Sequence, residues 1–358
     1  MSDQRPTSAW SHLFEQSPPS PSPAPPPRWW LRAAAAGALA IGVAVLLSLV
    51  LGVLGSLRLP WTAGPQEVNP FVGQPTWADP GSGAARAAAT AEEAGSPDAA
   101  VLRRVADTPQ GIWLVPEEHG VDAVAAYVER VVAQAGEAMP LLVLYGVPER
   151  DCAAGFSAGG LPAADYLPWV EQVVRGLDGA DRAAVVLEPD ALLASLECGD
   201  GAERLRLLEG AVGLLADSDA TVYVDAGHSD WRAPNVVADL LRDVGVSRVR
   251  GFATNVANSQ QEPDERGYAD RVASLLGDAA GRYVIDTGRS GAGPGEDFCN
   301  PPGLALGAEP GPVEDGTGMD ARLWVKPVGE SDGPCEGGPP AGVFWPERAV
   351  ELARTAGW

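Results

Sequence analysis

Lysine is nearly missing from this chain. Lys326 stands alone among 358 residues, and the other 24 basic residues are arginines. Basic residues of either kind are scarce, 25 against 48 Asp and Glu, for a formal charge of −23. Non-specific nucleic-acid binding needs cations that displace the counterions of phosphates, so no nucleic-acid partner is expected. Histidine occurs three times. Neither an H-E-x-x-H nor a C-x-x-C spacing occurs, so a transition-metal site has little support. No metal and no cofactor is expected, although an oxygen-ligated calcium or magnesium ion stays open. A glycine-rich phosphate loop ending in Gly-Lys-Ser/Thr is also missing. Four cysteines in a chain this long do not make a disulfide mini-scaffold. With 46% hydrophobic residues the chain is not disordered throughout.

What is present is unevenly laid out. Residues 1–58 carry four arginines against Asp3 and Glu15, so the rest of the chain carries −25. Residues 1–32 begin as a Pro/Ser-rich tail that favours extended polyproline and packs no core. Residues 33–57 are free of charge. As a helix they would reach about 37 Å, enough to cross a hydrocarbon core of about 30 Å. Arg28 and Arg32 precede this stretch, with Trp29 and Trp30 at interface depth, so the N-terminus is expected in the cytoplasm. The stretch is longer than a signal-peptide core and ends without a clear small-x-small cleavage site. The expectation is an uncleaved, single-pass membrane anchor with the remainder outside. A cleaved signal and a secreted protein is the alternative, and a buried soluble helix is disfavoured. All four cysteines lie beyond the span, in keeping with an oxidising compartment.

Residues 58–65 read as a linker and 66–358 as one domain. Short apolar runs recur at 111–115, 141–145, 183–187, 221–224, 249–254, 283–286 and 323–326. They are continuous rather than alternating, as parallel strands covered on both faces are. Helical patterns at 121–135, 166–177, 203–216 and 235–244 lie between several of them. The fold class is therefore α/β, with a parallel sheet doubly wound or closed into a distorted, TIM-like β/α barrel of about seven strands. One domain of this size suits a barrel. Polar residues collect where the runs end, at Asp151, Asp190, Asp225 and the Glu330/Asp332 pair. A single acid after a strand is usually a helix cap. Acids after four strands point to converging carboxylates, hence acid/base chemistry.

In this order, LYGVPERDCAAGFSAGG (144–160), VVLEPDAL (185–192), VYVDAGHSDW (222–231), GFATNVANS (251–259), IDTGRSG (285–291), FCNPPGLALG (298–307) and LWVKPVGESDGPC (323–335) closely resemble glycoside hydrolase family 6. That family comprises inverting β-1,4-glucanases and cellobiohydrolases. The resemblance spans essentially 66–358 and implies the seven-stranded distorted barrel. Hydrolysis with inversion needs an acid for the leaving oxygen and a base for the attacking water, their carboxyls about 6.5–9.5 Å apart. By resemblance Asp190 is the general acid, with Asp151 raising its pKa and Asp332 as a water-relayed base. Tyr145 lies below the distorted sugar, Ser157 holds the water and Asp225 supports the network. Lys326 and Glu330 bind the glucosyl unit on the donor side. Trp113 and Trp231 are stacking platforms, His228 and Asn255 are lesser polar positions of the cleft, and Trp324 is left to packing. For His228 a structural hydrogen bond is an equal reading. The family pairing of the cysteines is Cys152–Cys198 and Cys299–Cys335, each closure worth roughly 3–4 kcal/mol. Phe298 stands where the family often has Trp, and SAGGL (157–161) lacks a common acidic residue. Short segments between Ile285 and Cys335 favour an open cleft and endo action over an exo-acting cellobiohydrolase. No carbohydrate-binding module is expected beside the catalytic domain. The expected partner is therefore a soluble or nascent β-1,4-glucan near the cell surface, with a glucan synthase beside it. A non-catalytic glucan-binding or assembly protein is the reading from another class.

Overall fold

The computed structural model describes residues 64–152, 155–180, 182–277 and 280–358. The expected tail at 1–32, the apolar span at 33–57 and most of the linker at 58–65 lie outside them. Among the described residues no helix is long and apolar enough to cross a membrane.

The strands are β1 (Ile112–Leu114), β2 (Leu141–Leu144), β3 (Ala183–Leu187), β4 (Ala220–Asp225), β5 (Gly251–Thr254), β6 (Arg282–Asp286), β7 (Gly311–Pro312) and β8 (Met319–Leu323). Among the described residues β1 to β6 and then β8 run parallel in that order, and β7 pairs antiparallel at the edge. The helices are α1 (Gly83–Glu93), α2 (Ala99–Asp107), α3 (Val124–Ala135), α4 (Ala163–Leu177), α5 (Ala191–Ala194), α6 (Gly201–Ala216), α7 (Pro234–Asp243), α8 (Glu262–Leu276) and α9 (Pro346–Thr355).

Both faces of the sheet are buried, which is why its strands read as unbroken apolar runs. Leu142, Leu144, Val185 and Leu187 point outward into the layer shared with α3, α4 and α6. Leu141, Val143, Ala184, Val186, Tyr223, Ala253 and Ala321 fill the inside of the curl, with Phe71. Small and medium side chains beside the stacked rings of Phe71 and Tyr223 let the interior pack solid.

Two expectations need correction. The sheet curls but does not close, because among the described residues β1 pairs only with β2 and β8 only with β6 and β7. Its edges meet where Gly111 N–H donates to Trp324 O at 2.9 Å and Trp113 Nε1–H to Val325 O at 2.9 Å. The chain leaves the sheet at Trp324, whose indole is fully buried and donates to Ala308 O, so no ladder forms there. The last strand also lies at 319–323, not at 323–326. Its charged residues hid it: buried Asp320 takes a bidentate bond from Arg250 at 2.8 and 2.9 Å and the Tyr223 hydroxyl at 2.8 Å. Gln66 and Asn69 join this network, so residues 64–71 are held across the amino ends of the strands.

Candidate active site

The carboxyl ends of the strands converge on one cleft. Trp113, Tyr145, Asp151, Ser157, Asp190, Lys326, Glu330 and Asp332 all line a cavity of about 390 Å³. A second hollow of about 220 Å³ is lined by His228 and Trp231 and shares Asp151, Asp190 and Phe298 with the first. Asp151 and Asp190 thus stand where two halves of a groove meet.

Backbone strain places both. Asp151 follows β2 with φ 52° and Asp190 follows β3 with φ 66°, a left-handed conformation that L-residues seldom adopt. Asp151 accepts the N–H of Ser157 at 2.6 Å and its hydroxyl at 3.2 Å, and Ser157 Oγ lies 3.1 Å from the Tyr145 hydroxyl. Trp113 meets the Tyr145 ring edge-on at 5.1 Å. Burial pushes the Asp190 carboxyl up to about 7, and the Asp151 charge adds to the rise. A carboxyl so placed keeps its proton in mildly acidic water.

Asp332 is the opposite case. Burial alone would raise it, but Arg289 Nη1 at 2.8 and 2.9 Å and Lys326 Nζ at 2.7 Å hold it well below the usual carboxylate range. Asn300 N–H donates to it as well, at 3.0 Å. Glu330, on the same cavity, is pushed up to about 7 by burial, with Lys326 opposing and Glu118 adding. In mildly acidic water one cleft therefore holds a protonated carboxyl and an ionised one.

Asp225 and Asn255 line neither hollow. Asp225 is buried and accepts the Asp190 N–H at 2.8 Å. Asn255 is fully buried, and its amide is spent on Gln260 and on Asp286 O. His228 Nδ1 accepts the Asp230 N–H at 3.3 Å, and its ring tilts against Trp231. Trp231 Nε1–H donates to Glu197 at 2.8 Å. Trp324 is core, against Trp358. Both disulfides, Cys152–Cys198 and Cys299–Cys335, have the pairing that the resemblance implied.

Residues 71–356 match the family described as glycosyl hydrolases family 6. The chain belongs to that family. The family 6 chain is 42% identical over 270 residues to Endoglucanase A of Cellulomonas fimi, covering 75% of this chain and 59% of that one. Against Endoglucanase A of Thermobispora bispora it is 38% identical over 293 residues, covering 79% and 62%. It thus spans about three fifths of the length of these two relatives. Its fold is similar to the endoglucanase Cel6 of Mycobacterium tuberculosis solved with methyl-cellobiosyl-4-deoxy-4-thio-β-D-cellobioside: TM-score 0.75, 42% identity, 81% of this chain and 100% of that one. The cellobiohydrolase Cel6A core of Chaetomium thermophilum is more distant, at TM-score 0.68 and 27% identity.

Sequence reasoning gave no role to several residues on which this family 6 site rests. Arg289 bonds both carboxylate oxygens of Asp332, yet 43 positions separate them. Buried Glu188, two residues before Asp190, accepts the N–H groups of Gly146 and Val147 and fixes the turn after β2. Asp286 accepts those of Ala257, Gly288 and Lys326. The signal was in the quoted motifs, but only the fold shows which backbone each carboxylate holds. Residues 155–159 also read G-x-S-x-G, a serine-nucleophile pattern. The setting does not fit a nucleophile elbow, since Ser157 sits in an irregular loop and bonds Asp151 and Tyr145 with no histidine.

Proposed function

We propose that this protein hydrolyses β-1,4-glucosidic bonds in cellulose or a related β-glucan, within the chain and with inversion at the anomeric carbon. The observation that carries the reading is one cleft holding a carboxyl raised to about 7 beside one held ionised. Asp190 protonates the leaving oxygen. Asp151 keeps that proton in place by like-charge repulsion and, with Ser157, orients water. Asp332 accepts the water's proton at the end of a relay, its carboxylate held in place by Arg289, Lys326 and Asn300. Tyr145 supports the sugar at the cleavage point. Trp113, Lys326 and Glu330 bind one side of the substrate, and Trp231 and His228 bind the other. Endo action is supported by a groove that continues on both sides of Asp151 and Asp190, and by the endoglucanase names of the relatives.

The test is cellohexaose with the purified, oxidised chain, following product size and anomeric configuration by proton NMR. Mixed internal products appearing first as the α-anomer are expected. First-formed β-anomer would exclude inversion, and cellobiose as the sole early product would exclude endo action. Binding without turnover, on cellulosic and mixed-linkage glucans alike, would leave a binding protein.

A further inference from the structure

Glu197 has no step in the hydrolysis above, yet it links the two cleft carboxyls to one sugar platform. The segment that carries it starts at Asp190, runs through the short helix α5 and ends at Cys198. The N–H groups of Glu197 and Cys198 both donate to Ala194 O, at 3.1 and 3.0 Å, so the chain beyond α5 stays folded against that helix. The disulfide then joins Cys198 to Cys152, the neighbour of Asp151. Glu197 is thus held in a frame tied at one end to Asp190 and at the other to Asp151. From that frame its Oε1 accepts the Trp231 Nε1–H at 2.8 Å and pairs with the Arg232 guanidinium.

Trp231 needs such a tie. It lies in the loop between β4 and α7, so no strand or helix fixes it. Its ring packs on Gly227, where a Cβ would come within 2.9 Å of Cε3, and tilts against the His228 ring with centroids 5.6 Å apart. Contacts of this kind have little direction, and they leave the indole free to turn or slide along the groove. The hydrogen bond to Glu197 has direction and holds the one polar atom of the ring. Cys152, Asp190, Ala191 and Ala194, all part of the same frame, line the hollow of about 220 Å³ together with Trp231. We propose that Glu197 is a positioning residue for the leaving-group side of the cleft: through the Trp231 N–H it sets the place and tilt of that platform relative to Asp190, and so how firmly the cleft holds the glucosyl units beyond the bond being cut. A purely structural role would give it little, because its ion pair joins side chains that are 27% and 34% exposed, and such pairs contribute about 0–1 kcal/mol to stability. The inference rests on the reading of Trp231 as a platform on that side.

The test compares two substrates of the full, oxidised chain. Cellotetraose fills both sides of the cleavage point. A dinitrophenyl β-cellobioside fills the donor side and puts only its aryl leaving group beyond it. Glu197→Ala should lower kcat/KM on cellotetraose by about three- to tenfold, the range of a lost aromatic contact, chiefly through KM. On the aryl glycoside it should match the wild type. Glu197→Gln keeps an oxygen for the indole N–H and should restore most of the cellotetraose rate. Wild-type kinetics of Glu197→Ala on cellotetraose would overturn the proposal, and so would an equal loss on both substrates, which is what general loosening of the fold produces. Should Glu197→Ala fail to fold, Glu197→Asp decides instead: it keeps a charge near Arg232 but is one methylene too short for the indole, and the same selective loss is expected. Trp231→Ala is measured alongside. If it shows the selective loss and the Glu197 variants do not, the platform reading stands and this inference fails; if Trp231→Ala leaves cellotetraose unaffected, both fail.

Discussion

Asp190 and Asp332 share a side chain and a cleft, yet their surroundings drive them apart. Asp190 has no cation in hydrogen-bond contact, and burial with a nearby carboxylate raises it to about 7. Asp332 is clamped by a guanidinium and an ammonium and stays ionised. The two substitutions to Asn should therefore behave differently. With Asp190 as the proposed proton donor, Asp190→Asn should lower kcat by about 10² to 10⁴-fold. It should not cost stability near pH 8, where the folded state must otherwise hold a charge it disfavours. Asp332→Asn leaves Arg289 and Lys326 buried without their counter-charge, and loss of one partner of such a pair costs about 3–5 kcal/mol. Its urea midpoint should fall together with its activity. A stable but inactive Asp332→Asn would show that the ion pairs carry no stability. The solitary lysine of the chain has a physical role here, since Lys326 is one of the two cations that hold Asp332.

At the scale of elements, the edge contact between β1 and the segment after β8 sets the shape of the cleft. Gly111 makes it feasible: a Cβ there would lie 2.2 Å from Val325 O and 2.9 Å from a Val143 methyl. Gly111→Ala should therefore push the edges apart, loosen the Trp113–Val325 bond and destabilise the fold by about 1–3 kcal/mol. It should also raise KM more than it lowers kcat, because Trp113 moves while Asp190 does not. Unchanged melting and KM would show that the edges are free to slide. Sequence reading worked best where one physical cause dominated. β2 and β3 are buried on both faces, and their apolar runs located them within a residue. β8 was misplaced because Asp320 and Arg322 break its hydrophobicity, and the cause, Arg250, lies 70 residues away. Helices α1, α2, α8 and α9 went unread because they are poor in large apolar residues, although α2 and α9 are clearly amphipathic. In the cleft, strand-end carboxylates were legible as a pattern. Their left-handed backbone, the Glu188 turn and the Arg289 clamp were not, since each depends on contacts that only the fold creates.

For the whole molecule, the same carboxyls govern how stability responds to pH. Asp190, Glu188 and Glu330 are raised to about 7 and Asp225 lies well above its ordinary range, burial being the first cause in each. In the unfolded chain such groups lose their protons near pH 4. The folded state thus binds protons that the unfolded state has released, and this stabilises it fully below about pH 4 and progressively less as pH rises through about 7. Asp332 has the opposite sign: its contribution is present above about pH 4 and is lost below it. The two trends should place the highest melting temperature near pH 4–5, with a steady fall toward pH 8. The net charge of −23 would give a fall of the same sign through surface repulsion. Salt separates the causes, because it screens exposed charges and hardly reaches sealed ones. Calorimetry at low and at about 1 M salt should show a slope between pH 5 and 8 that is reduced by salt but persists. A slope that vanishes in salt would assign the effect to the surface, and the raised carboxyls in and behind the cleft would then be ionised at no cost to the fold.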